Sequence, residues 1–131
     1  MKTRMSPDRR AKRGLKRLGC EARGRRADFI ASLLLLSKLY RVLGRRIKTP
    51  LGELDLVALG PRGVCFVEVK ARGLENEAAE AVSMRQRERI IRASALYLGA
   101  RPGLRHRCVR FDAILVMPHR LPRHLKDAWR P

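Results

Sequence analysis

The stretch GELDLVALGPRGVCFVEVKAR, residues 52–72, decides the fold of this chain. Two apolar runs, Glu53–Leu59 and Val64–Lys70, flank the turn signal GPRG, so the segment reads as a β-hairpin. Four charged residues interrupt it: Glu53, Asp55, Glu68 and Lys70. Side chains alternate between faces along a strand. Leu54, Leu56 and Ala58 are therefore expected on one face, with Glu53, Asp55, Val57 and Leu59 on the other.

The turn sets which charges meet. A two-residue loop pairs Gly60 with Gly63, and a four-residue loop pairs Leu59 with Val64. Both put Asp55 opposite Glu68 and Glu53 opposite Lys70. A three-residue loop with Gly63 in a bulge breaks that match. Directly opposed carboxylates repel and weaken a plain hairpin. They make sense around a divalent cation with oxygen ligands, for which Mg²⁺ or Mn²⁺ is the natural choice. Such an ion polarises water and clamps a phosphate, while Lys70 is placed to stabilise transition-state charge. The pattern thus points to phosphodiester hydrolysis, with Asp55 and Glu68 as metal ligands. The alternative is an edge hairpin whose Glu and Lys form ordinary cross-strand pairs.

Outward from the hairpin, residues 1–22 form a strongly basic arm, expected to be flexible, ahead of a single domain over 23–131. Apolar residues at three- and four-residue spacing predict a helix from Ala22 to Leu43, its face built from Ala27, Ile30, Ala31, Leu34, Leu35, Lys38 and Leu39, with Gly44 as its stop. The run FIASLLLLSKLY within it resembles a signal segment. It is too short to span a membrane and lies between Asp28 and Arg41, so a buried helix is expected and a membrane role is not. A short strand is expected over Arg45–Lys48. After a polar loop at 72–81, Ser83 is a good N-cap for a helix to Leu98, ended by Gly99. Its apolar face is Ile90, Ile91, Ser94, Ala95 and Leu98, and Arg85, Arg87, Arg89 and Arg92 occupy the other. A last strand is expected over Val109–Met117, with PRHLKDAWRP as a helical turn packing Trp129 onto the body.

Composition narrows the partners. The 131 residues hold 31 Lys and Arg against 12 Asp and Glu, a net charge of +19. Charge on this scale favours a polyanion, nucleic acid first and an acidic membrane surface second. The three cysteines, Cys20, Cys65 and Cys108, are too scattered for a disulfide framework or zinc site, which fits a reducing cytoplasm. His106, His119 and His124 lack ligand spacing and read as surface or phosphate-contacting, and Asp112 as a structural hydrogen-bond or salt-bridge partner.

GELDLVA, FVEVKAR, AVSMRQRERIIRASALYL and VRFDAILV, in this order and spacing, resemble the YraN-type family of small bacterial proteins. That family is similar to archaeal Holliday-junction resolvases, among the PD-(D/E)xK, restriction-endonuclease-like nucleases. The resemblance implies an α/β fold, a mixed β-sheet flanked by helices. It places the metal-binding aspartate at Asp55, the E-x-K pair at Glu68 and Lys70, and the glutamate of its GE(I/L)D motif at Glu53. It puts a further metal-site acid at Asp28, where the family usually has glutamate; the other reading of Asp28 is an acid favoured by the helix dipole. Arg72, Arg85, Gln86 and Arg89 are candidate nucleic-acid contacts. The expected function is a metal-dependent DNA endonuclease acting on branched or structured DNA, with a homodimer by analogy to the resolvases. The rivals are a non-catalytic nucleic-acid-binding protein on the same fold and an assembly factor for acidic protein partners.

Overall fold

A computed structural model describes residues 24–71 and 82–131. The hairpin forms in the two-residue-loop register. Strands β2 (Gly52–Gly60) and β3 (Gly63–Ala71) run antiparallel, with Gly60 opposite Gly63 and Leu56 opposite Val67. Gly63 has φ +138°, and a Cβ there would collide with the backbone oxygen of Cys108, so the turn requires glycine.

Three more strands extend the hairpin into one mixed sheet of order β1-β2-β3-β4-β5. Strand β1 (Arg41–Thr49) pairs antiparallel with β2, β4 (Val109–Val116) parallel with β3, and β5 (Arg123–Trp129) antiparallel with β4. The parallel pair needs a crossover, which contains helix α2 (Met84–Gly99) and a short 3₁₀ turn, Pro102–Leu104. The first helix, α1, covers 24–37 among the described residues. The result is a single α/β domain.

Both sheet faces are buried, which explains strands that are nearly continuous in apolar residues. Ala27, Ala31 and Leu35 of α1 pack on Leu56, Ala58, Cys65, Val67, Val69 and Ile114. Ile90, Ala93 and Tyr97 of α2 pack on Val57, Val64, Phe66, Phe111, Ala113, Leu115 and Trp129. Phe66 is fully buried between Tyr97, edge-on at 5.8 Å, and Phe111, stacked at 5.8 Å.

Several expectations change. The first helix ends near Ser37, not Leu43, and β1 starts at Arg41 rather than Arg45. Leu39 takes φ +68°, Tyr40 N–H donates to the Leu35 carbonyl at 2.9 Å, and Leu39 N–H donates to Leu36 at 3.1 Å. This is a Schellman stop, sealed by Tyr40 packing near Leu35, with leucine where glycine is usual. α1 is buried on one side only: Phe29, Leu33 and Leu36 are exposed. Helix α2 begins as expected, Ser83 and Gln86 forming a reciprocal capping box. Its buried face is Ile90, Ala93, Ser94 and Tyr97, and Ala95 is exposed. The C-terminal segment is a strand, because the open edge of β4 offers backbone partners; Trp129 packs on the body as anticipated. The 1–22 arm, Cys20, Arg72 and the 72–81 loop lie outside the described residues.

Candidate metal site

Strand β2 departs from simple alternation at one residue. Leu54 joins the cluster under α2, whereas Leu56 and Ala58 join the cluster under α1. Regular alternation would put all three on one face. The break falls at Asp55. On β1, between the pairs Arg45–Leu56 and Ile47–Leu54, Arg46 takes φ +47°. Both strands therefore twist at one level. The expected common face of Glu53, Asp55 and Val57 is thereby corrected: Val57 buries toward α2, while Glu53 and Asp55 open into a cleft of about 590 Å³ beside α1. Asp28, Arg46 and Lys48 complete the polar wall of that cleft, with Val69 and Ala71 of β3 opposite.

The β2–β3 pairing runs from the turn to Leu56–Val67. Beyond it the Val69 N–H donates to Asp55 Oδ2 at 2.9 Å, so a side chain takes the place of a ladder carbonyl. That leaves Asp55 Oδ1 without a partner among the described residues. Burial, then the negative charge of Glu68, pushes the Asp55 carboxyl up to about 7, against the pull of the Val69 N–H. Glu68 is close enough for a shared proton to add to that rise, and Asp28 contributes from farther away. The Lys70 Nζ lies 3.3 Å from Glu68 Oε1, and both side chains are mostly buried, at 16 % and 13 % exposure. Asp55, Glu68 and Lys70 are thus neighbours, but the pairs Asp55–Glu68 and Glu53–Lys70 that the hairpin arithmetic predicts lie beyond the observed ladder, which ends at Leu56–Val67. Asp55 lines the cleft with the Glu68 carboxylate beside it, and two neighbouring carboxyls form an oxygen donor set suited to a hard divalent cation.

The other predicted residues divide. Asp28 is buried beside the cleft, but its Oδ2 accepts from Arg46 Nε at 2.7 Å, and this bond holds the guanidinium above its ordinary pKa. Among the described residues no three His, Cys, Asp or Glu side chains converge on one point, so Asp28 would have to leave Arg46 to join Asp55 and Glu68. Glu53 is exposed and pairs by backbone with Lys48. Gln86 is tied into the α2 cap, its Oε1 accepting from Ser83 N–H at 3.4 Å, and its Nε2 is the part left for other contacts. Arg85 and Arg89 are exposed, and the Arg89 stem covers Gly52 at the start of β2.

One cluster escaped the sequence reading. Asp112, fully buried, accepts Arg110 Nε and Nη2 at 2.8 Å each, His124 Nε2 at 2.7 Å and the Asp127 N–H at 2.9 Å. Burial alone would raise its pKa, yet His124, Arg110 and the Asp127 amide together hold it below the usual carboxylate value. His124 is not a surface residue: its side chain is 1 % exposed, and Lys38 Nζ sits 3.0 Å from its Nδ1. Those partners assign its proton to Nε2. The predicted structural role of Asp112 holds, but beyond Arg110 on the same strand its partners come from β5, 12 and 15 positions away, and Lys38 reaches His124 across 86 positions, where no local signal reaches.

The Uncharacterised protein family UPF0102 matches residues 27–116. A UPF0102 protein of Parvibaculum lavamentivorans is 53 % identical over 108 residues, covering 82 % of this chain and 81 % of its own. One from Caulobacter sp. strain K31 is 44 % identical over 125 residues, covering 95 % and 90 %. One from Caulobacter vibrioides is 50 % identical over 106 residues, covering 81 % and 85 %. The match begins at Ala27 on α1 and ends at Val116 on β4, so it includes Asp28, Asp55, Glu68, Lys70 and Asp112.

Proposed function

The chain belongs to the uncharacterised protein family UPF0102, and from that footing we propose that it is a metal-dependent nuclease hydrolysing phosphodiester bonds in DNA, with a restriction-endonuclease-like fold and a preference for branched or structured DNA. The observation that carries the proposal is Asp55. Its carboxyl is half-buried beside Glu68 with one backbone donor and a pKa pushed up to about 7, an arrangement that a divalent cation would relieve. Asp55 and Glu68 would hold Mg²⁺ or Mn²⁺, and the ion supplies an activated water and phosphate charge neutralisation when bound. Lys70 orients Glu68 through their 3.3 Å ion pair, and its amine would meet charge developing on a phosphate oxygen. Exposed Arg85 and Arg89, with Arg72, supply backbone contacts under a net charge of +19. A homodimer and a cytoplasmic location belong to the same reading.

One observation favours a second reading, a nucleic-acid-binding protein that keeps the fold without cleaving. Asp28 is locked to Arg46 and leaves two acids rather than three for a metal. Labelled linear, single-stranded, flapped and four-way DNA, incubated with Mg²⁺, with Mn²⁺ and with chelator, separates the two. Cleavage that needs the metal is the expected result; binding without cleavage of any substrate by folded protein leaves the second reading.

A further inference from the structure

A second cavity, of about 830 Å³, lies at the turn end of the β2–β3 hairpin, away from the acidic cleft. Its size is within the roughly 300–1,000 Å³ of small-molecule sites. Five cationic side chains line it, Lys38, Arg62, Arg110, Lys126 and Arg130, against one carboxylate, Asp127. Their pairing is uneven. Arg110 is committed to Asp112 and Arg130 to Asp127. Among the described residues Arg62 and Lys126 have no carboxylate partner, and Lys38 contacts only the neutral acceptor His124 Nδ1, at 3.0 Å. Lys38 and Lys126 also repel one another: loss of hydration and then Lys126 hold the Lys38 pKa down. Unpaired like charges around one concavity are relieved by an anion.

The rest of the lining is of a different kind. Val64, Phe111 and Trp129 form an apolar wall that is at most 5 % exposed, with Val109, 40 % exposed, at its rim, and Phe111 and Trp129 are stacked at 5.7 Å and 24°. Trp129, 5 % exposed, has its Nε1 donor buried without an acceptor among the described residues. An unmatched buried donor carries a desolvation cost that a polar group of a ligand would offset. Inorganic phosphate would use the cations and leave the wall idle. An apolar ligand would leave the cations idle.

We propose that this cavity binds a nucleoside phosphate, the phosphate on Lys38, Arg62 and Lys126 and the base against the Phe111–Trp129 wall. Free mononucleotides and the 5′-terminal nucleotide of a strand share that chemistry. The site is separate from the acidic cleft and does not depend on cleavage.

Trp129 is the only tryptophan of the chain, so its fluorescence reports on the cavity. The full-length protein is titrated at fixed ionic strength with dAMP, inorganic phosphate, and short oligonucleotides bearing 5′-phosphate or 5′-hydroxyl. A saturable emission change with dAMP, at least about tenfold tighter than with inorganic phosphate, is expected. Arg62→Ala and Lys126→Ala remove exposed side chains and should each weaken dAMP by roughly fivefold to tenfold with unchanged circular dichroism. Asp55→Asn should leave the titration as it is. Tighter binding of the 5′-phosphorylated oligonucleotide than of its 5′-hydroxyl form identifies a strand end as the ligand; dAMP binding with neither oligonucleotide bound identifies free nucleotide. No emission change, equal affinity for inorganic phosphate, or indifference to both substitutions overturns the proposal.

Discussion

Asp55 and Asp112 lie on strands either side of β3, and each accepts a backbone N–H at 2.9 Å where a strand ladder breaks. There the likeness ends. Asp112 also receives a bidentate Arg110 and His124, and its pKa is held low. Asp55 receives no further hydrogen bond among the described residues, and burial, then the charge of Glu68, raises its pKa to about 7. Burial acts in the same direction on both. What separates them is the number of donors aimed at the charge, and this distinguishes a carboxylate built to hold strands together from one left to bind something else.

The comparison is broken most directly by swapping the acids for amides. In the proposed nuclease, Asp55→Asn removes a charged metal ligand and should lower cleavage by on the order of 10³-fold in gel assays, without loss of fold. Metal-free DNA binding should stay level or tighten, because a repulsive carboxylate has gone. Asp112→Asn should do the reverse. It leaves Arg110 and His124 without their anion in the interior and should cost about 3–5 kcal/mol in urea unfolding. If Asp55→Asn unfolds the protein and Asp112→Asn is harmless, the assignment of roles is inverted.

Acidity gives the next test. Asp55 has a folded pKa of about 7 against an ordinary 3.8, so between these values the folded protein keeps a proton that the unfolded chain releases. Stability therefore falls as pH rises from about 4 to about 7 through this group. Asp55→Asn should be stabilising by roughly 2 kcal/mol at pH 8 and by little at pH 4. Millimolar Mg²⁺ should raise the wild-type Tm at pH 8 and leave that of Asp55→Asn unmoved. Asp112 is lowered, so its contribution is complete above about pH 4 and is lost in acid. An Asp55→Asn gain that does not change with pH would show that the carboxyl is not perturbed.

The smallest effect concerns how the Asp112 cluster is anchored. Lys38 and Tyr40, both partners in it, flank Leu39 at φ +68°. Left-handed backbone costs leucine about 1 kcal/mol relative to glycine. Leu39→Gly should thus raise stability by up to about 1 kcal/mol in thermal unfolding. Any loss would mean that the exposed leucine side chain makes contacts outside the described residues.

The hairpin and its acids were legible because a turn fixes strand register by counting alone. GPRG allowed two loop lengths that set Asp55 against Glu68 and a three-residue loop that does not, and the structure takes the two-residue loop, Gly60 opposite Gly63. The helix stop was not legible, because Leu39 carries no local mark of a left-handed residue. The twist at Asp55 was hidden for a related reason: it falls beside Arg46, whose left-handed backbone and bond to Asp28, 18 positions away, carry no local mark. His124 looked like a surface residue because its partners, Asp112 and Lys38, are 12 and 86 positions away. Strand β5 has little strand propensity of its own, and the vacant edge of β4 supplies the reason for it to form. Asp55, Glu68 and Lys70 on a basic chain pointed to phosphodiester hydrolysis by themselves, and the resemblance added the nuclease fold and branched DNA, whereas the second cavity had no trace in the sequence.

The parallel pairing of β3 with β4 also has a consequence for synthesis. Val64 pairs with Val109, a partner the ribosome makes long after the hairpin. The β1–β2 and β2–β3 ladders, the Asp55 bond to Val69 N–H and the Lys70–Glu68 pair lie wholly within residues 41–71, and Asp28, the partner of Arg46, is made earlier still. A nascent chain can assemble the acid pair while β4, β5 and the Asp112 cluster are still missing. During that interval the β3 edge lies open, and its neighbours on both faces are apolar. A pause in translation between Arg72 and Cys108 would prolong that exposure, and the emergence of β4 closes it.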